Sequence, residues 1–175
     1  MSQPNKLPSF LIQYYEHDKS IDFPVELYQT PLVIDGLFSP LTNSKFSLGY
    51  LDNFSRTNES EECLLNIGHG IEFEKSDNDI YLIKNSCFQK IYLLAKGSDE
   101  QEELEPRFRR PIFNLKPLIE HKFFPKKVGK IYDECSLRIS FGKPFEKSQD
   151  SELGYISPCW IEMTLNRIVD TFQNP

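Results

Sequence analysis

Nucleophilic or metal chemistry in this chain would fall to three histidines, His17, His69 and His121, and four cysteines, Cys63, Cys87, Cys135 and Cys159. Nucleophilic catalysis needs a base held beside a serine or cysteine. A zinc site needs Cys and His at short fixed offsets. Neither pattern is present: the cysteines are widely spaced with no C-x-x-C pair, and the histidines are scattered. Gly68-His69-Gly70 lacks the Lys-Ser/Thr that makes a phosphate-cradling loop, and His69 suits a solvent-exposed loop. The reading is a non-enzyme that needs no metal or cofactor.

Charge narrows the partners. The chain has 175 residues and a formal charge of −6, a poor balance for non-specific nucleic-acid binding, which needs Lys and Arg to neutralise phosphates. Direct DNA binding is not expected. The basic residues do cluster, as Arg107, Arg109 and Arg110 and as Lys122, Lys126, Lys127 and Lys130. No run approaches the roughly 20 apolar residues of a membrane span. The first eight residues have no apolar core of a signal peptide. Two disulfides are arithmetically open, but reduced, buried thiols in cytoplasm or nucleus are the simpler expectation.

The elements that must position these residues are short and mostly strands. Hydrophobic residues make up 39% and aromatics 13% of the chain, enough for one packed core. Alternation and turn residues place strands at Phe10 to Tyr15, Phe23 to Tyr28, Leu32 to Ile34, Phe46 to Leu48, Ile71 to Phe73, Ile80 to Ile83, Lys90 to Leu94, Leu137 to Phe141 and Cys159 to Thr164. A brief helix runs to Leu65, capped by Thr57 or Asn58 and ended by Gly68. Lys96 to Pro106 reads as an acidic, flexible loop. Leu115 to Phe124, Val128 to Glu134 and Leu165 to Phe172 have helical character. Many short strands with turn signals indicate a mainly β fold, a β-sandwich, with residues 1–8 a tail and 9–175 one domain.

The C-terminal segment is the most specific. Cys135-Ser136-Leu137-Arg138-Ile139-Ser140-Phe141, a charged loop, then Ser157-Pro158-Cys159-Trp160-Ile161-Glu162 resembles the end of the Mad-homology-2 domain of Smad proteins, where a strand C-x-L-R-M-S-F and a recognition loop precede T-P-C-W-I-E. Other blocks follow in family order: Ile12 to Glu16; Val33-Ile34-Asp35-Gly36 with Pro40; Lys45 to Gly49; Leu51, Asn53 and Arg56; Ile67 to Gly70; Ile112-Phe113-Asn114. The resemblance implies a sandwich related to forkhead-associated domains, with a loop-helix cap at one end and short helices at the other.

It also implies a function: signal transduction and transcriptional regulation of the transforming-growth-factor-β type, by assembly with other Smad proteins, transcription factors and co-regulators. A type I receptor kinase is admitted as a further partner. Carried over by position, Asn53 and Arg56 belong to an oligomer interface, with Asp170 the acidic candidate in the terminal helix. Lys143 matches the lysine that opens the phosphoserine-binding recognition loop, in which Lys147 is a further basic residue, and Arg109 and Arg110 precede the position of another pocket lysine, here Pro111. The loop departs from the family in Pro144-Phe145-Glu146, which replaces Gly-Trp-Gly, and in Glu146, Asp150 and Glu152, whose charge opposes phosphate. The expectation is a divergent member without the Ser-x-Ser tail or the DNA-binding N-terminal domain. A phosphopeptide-binding adaptor and an inhibitory decoy remain open.

Overall fold

Strand β1 (Phe10–His17) shows how the sandwich is specified. Its inward positions are Phe10, Ile12, Tyr14 and Glu16, and the residues between are less buried, the period-two pattern of a strand with one face on a core. The computed structural model describes residues 10–28, 30–76, 80–114 and 136–165. Within them follow β2 (Lys19–Leu27), β3 (Leu32–Asp35), β4 (Lys45–Ser47), a 3-10 turn at Leu48–Tyr50 and helix α1 (Asn58–Ile67). Next come β5 (Ile71–Lys75), β6 (Ile80–Asn85), β7 (Ile91–Ala95), β8 (Gln101–Leu104) and β9 (Arg109–Asn114). The last are β10 (Ser136–Phe141), the two-residue β11 (Glu146–Lys147) and β12 (Tyr155–Leu165).

Two sheets face each other. One has the order β2-β1-β12-β10-β7-β8, with β11 pairing β12; the other has the order β4-β3-β5-β6-β9. All pairings are antiparallel except β3 with β4. The inner faces share one apolar core, in which Phe10, Ile12, Ile139 and Ile161 of the first sheet meet Ile34, Phe73 and Ile83 of the second. Phe10 spans the interface, with ring centroids 6.1 Å from Phe73 and 5.4 Å from Tyr81. The mainly β, sandwich reading of the sequence holds.

Three local readings change. The acidic stretch after Ala95 contains a strand, β8, because Leu104 is buried opposite Ile91 while Glu102 and Glu103 face solvent. Such charges suit a sheet edge, where they discourage pairing with another chain. Helix α1 starts where the sequence placed it, with Thr57 the N-cap accepting from the Ser60 N–H, but it runs on past Leu65 to Ile67 before Gly68 (φ 57°). Any Cβ on Gly68 would also strike the Phe88 ring. Leu48 lies in the 3-10 turn, not a strand. Cys63, Cys87 and Cys159 are free and buried, as expected, and burial pushes the Cys87 thiol up to about 12. Cys135, His121, the lysine cluster 122–130, Asp170 and the three expected C-terminal helical segments lie outside the described residues.

Candidate functional site

The end of β1 carries a carboxylate where its pattern calls for a core residue. Glu16 is 3% exposed, and an unpaired charge there would be costly. It is fully engaged. Glu16 Oε1 accepts from Arg56 Nε at 2.9 Å and from the Tyr14 hydroxyl at 3.1 Å, and Oε2 accepts from Asn53 Nδ2 at 2.7 Å. Arg56 Nη2 also donates to the Leu51 carbonyl at 3.0 Å, and Asn53 Oδ1 caps its own turn by accepting from the Ser55 N–H. The loop leading to α1 is thus tied to the sheet through one buried anion. A cleft of about 220 Å³ lies beside it, lined by Glu16, His17, Lys19, Asn53, Ser55 and Thr57.

His17 joins this loop to the start of α1. A bulge follows Tyr15, and His17 adopts φ 57°, which re-aims its ring. Its Nε2 lies 3.0 Å from Thr57 Oγ1. Ser60 Oγ donates to the Pro158 carbonyl, so Thr57 must donate to Ser60 Oγ, and the shared proton with His17 has to come from the imidazole. The cap therefore selects the Nε2–H form of His17. Replacing Thr57 by Ala removes this link and the helix cap. The expected cost is about 1 kcal/mol, read as a drop in the midpoint of denaturant unfolding.

The segment from Gly142 to Gly154 is anchored at both ends and in its middle. Ser140 Oγ donates to the Lys143 carbonyl and is itself bonded to the buried Ser157 hydroxyl. Gly142 (φ +75°) packs against the Gln89 amide, 2.4 Å from where a Cβ would stand. The Gln101 side chain of β8 grips the Phe145 backbone, donating to its carbonyl at 2.8 Å and accepting from its N–H at 2.7 Å. The Phe145 ring sits in a second small core with Leu94 and Trp160. Trp160 stacks on Tyr15 at 4.1 Å, lies under the Arg138 guanidinium and donates Nε1–H to the His17 carbonyl at 2.7 Å. Arg138 is held in turn by Glu162 at 2.9 Å.

A sandwich with a loop-helix corner at one end and a loop after β10 is the arrangement that the sequence resemblance implied; the tie through Glu16 is new. The family model described as MH2 domain matches residues 11–166. This chain belongs to the MH2 domain family. Among curated proteins the MH2 domain is similar to dwarfin sma-3 of Caenorhabditis elegans, at 22% identity over 169 residues, covering 89% of this chain and 43% of that protein. It is also similar to Smad protein daf-8 of the same organism, at 24% over 177 residues, covering 91% and 32%. The chain thus spans less than half the length of these relatives. Among solved structures, the crystal structure of the interferon regulatory factor 9 IAD domain superposes with a TM-score of 0.62 at 10% identity, covering 98% of this chain and 90% of that one. A chain of the crystal structure of STAT2 in complex with IRF9 gives 0.63 at 9%, covering 99% and 100%. These two share the fold.

The residues carried over by position are found on separate parts of the MH2 domain. Asn53 and Arg56 converge on Glu16. Lys143 is exposed at the start of the anchored loop and forms an ion pair with Glu59 in the first turn of α1. Lys147 pairs with Asp99 at 3.3 Å, and that carboxylate also accepts from the Tyr155 hydroxyl at 2.6 Å, which holds it below the usual carboxylate range. Arg110, on β9 of the other sheet, pairs with Glu102 of β8, while Arg109 is exposed. Glu16, Glu59 and Phe145 take on roles that the sequence reading did not assign to them. Only Glu16 had a usable signal, its place on the inward stripe of β1.

Proposed function

We propose that this domain is an assembly module in transforming-growth-factor-β-type signalling. It joins other Smad C-terminal domains in a homo- or hetero-trimer, with the loop-helix corner around Asn53 and Arg56 meeting a neighbour's acidic helical end, for which Asp170 is the candidate on a second copy. Transcription factors and co-regulators are the onward partners, a type I receptor kinase a further one, and cytoplasm and nucleus the compartments. DNA is reached through those partners. The supporting observation is the buried Glu16, which fixes Arg56 and Asn53 in one geometry before any partner arrives; preorganised groups bind at lower entropic cost. Light scattering on the chain mixed with a tail-phosphorylated Smad C-terminal domain tests it. The expected result is a mixed species of trimer mass that Arg56→Ala abolishes. A wild-type chain that never associates would remove the reading.

An inhibitory decoy, which occupies partners without accepting a phosphorylated tail, is the second reading. One observation favours it: Lys143, Lys147 and Arg110 each already engage a carboxylate. A pathway reporter assay separates the two, rising with an activator and falling with a decoy.

A further inference from the structure

We infer that Glu59 is a built-in occupant of the anion position at Lys143, so that a phosphorylated tail must displace the Glu59 carboxylate to bind. The inference rests on the assembly reading above for the identity of the ligand, and it concerns regulation of that same loop.

The loop holds the Lys143 backbone in place beside α1. That backbone is fixed by the Gly142 N–H on the Lys90 carbonyl at 2.9 Å, by the Gln89 amide packed on Gly142, and by the Ser140 hydroxyl on the Lys143 carbonyl. Its side chain reaches the first turn of α1, where Glu59 is the second helical residue. A carboxylate there is favoured by the positive end of the helix. Both sides of the pair record the contact: the hydrogen bond to Lys143 holds the Glu59 carboxyl below its ordinary value, helped by nearby His17, and the hydrogen bond to Glu59 raises Lys143. A carboxylate and a phosphate offer an ammonium the same thing, an anionic oxygen acceptor.

The space beside the pair completes the case. It is about 50 Å³, walled by His17, Glu59, Lys143, Pro144, Glu146 and Ser157. A phosphoserine dianion entering it would find its lysine already neutralised and two carboxylates, Glu59 and Glu146, facing it. An exposed ion pair is weak by itself, so the occupant is displaceable; repulsion between the dianion and the displaced carboxylate supplies most of the discrimination.

The test is fluorescence anisotropy of a labelled peptide ending in a doubly phosphorylated Ser-x-Ser, titrated with the full chain. The wild type is expected to bind weakly. Glu59→Gln, which keeps shape and removes charge at an exposed position, should tighten binding roughly tenfold. Adding Lys143→Ala should erase that gain, and the unphosphorylated peptide should bind none of the three. A Glu59→Gln chain that binds no tighter than wild type overturns the inference, as does a gain that survives Lys143→Ala. The two readings fail separately. A Glu59→Gln gain in a chain that forms no mixed trimer removes assembly and keeps the occupant, whereas a mixed trimer with no effect of Glu59 does the reverse.

Discussion

Glu16→Ala is expected to destabilise the domain by about 3 kcal/mol, the low end for breaking a buried ion pair from one side. The low end applies because the Arg56 side chain keeps 18% exposure and recovers part of its hydration, whereas Glu16 keeps almost none. The loss leaves three donors facing an empty place: the Arg56 guanidinium, which keeps only its bond to the Leu51 carbonyl, the Asn53 amide, and the Tyr14 hydroxyl, which keeps the Cys159 sulfur at 3.2 Å. Glu16→Gln should not rescue it, since one acceptor oxygen becomes an NH₂ aimed at donors. The double variant Glu16→Leu/Arg56→Leu should recover much of the stability, because replacing both partners of a buried pair by apolar groups is often neutral. It should not recover the proposed assembly, in which the Arg56 charge meets the neighbour. Urea unfolding and light scattering on the same samples read the two effects apart. A Glu16→Ala midpoint shift worth less than about 1 kcal/mol would mean that the carboxylate is not the tie between sheet and loop.

How far the sequence showed this corner depends on the kind of signal. The strands were legible because burial on one face imposes alternation, and β1 displays it over eight residues. The start of α1 was legible because Thr57 is a capping residue ahead of acidic side chains. The strand β8 was not, because four Glu residues and a Gly-Ser-Asp turn look like a solvated loop until Leu104 finds Ile91 across the ladder. The resemblance gives Arg56 a partner on another subunit; what it does not encode is the bond to Glu16 within the chain. Forty residues separate it from Glu16, and no local pattern encodes that distance. The same limit hid the Lys143–Glu59 pair, 84 residues apart. Charge counting could say that the loop was acidic, but not which carboxylate would reach its lysine.

The loop after β10 gives the second large effect. Phe145→Ala is expected to cost about 3 kcal/mol, within the range for emptying an aromatic site that the surroundings only partly refill. Phe145 is 4% exposed and meets Trp160 edge to face at 5.4 Å and Tyr155 at 6.3 Å. Such pairs contribute beyond their buried area. The cavity would open beside the only tryptophan of the chain, so its emission should shift to the red as water approaches. The Gln101 clamp holds only the backbone of residue 145 and survives the substitution, so the loop should loosen about its apolar anchor without detaching from β8. Phe145→Leu, which refills most of the volume, should return the emission towards the native position. In a Glu59→Gln background, Phe145→Ala should also reduce phosphopeptide binding, because the loosened loop beyond Pro144 presents Lys143 less steadily. Unchanged emission together with stability within about 0.5 kcal/mol of wild type would show that Pro144-Phe145-Glu146 is held by its backbone bonds alone, and the packing of Phe145 would then have no part in aiming Lys143 at α1.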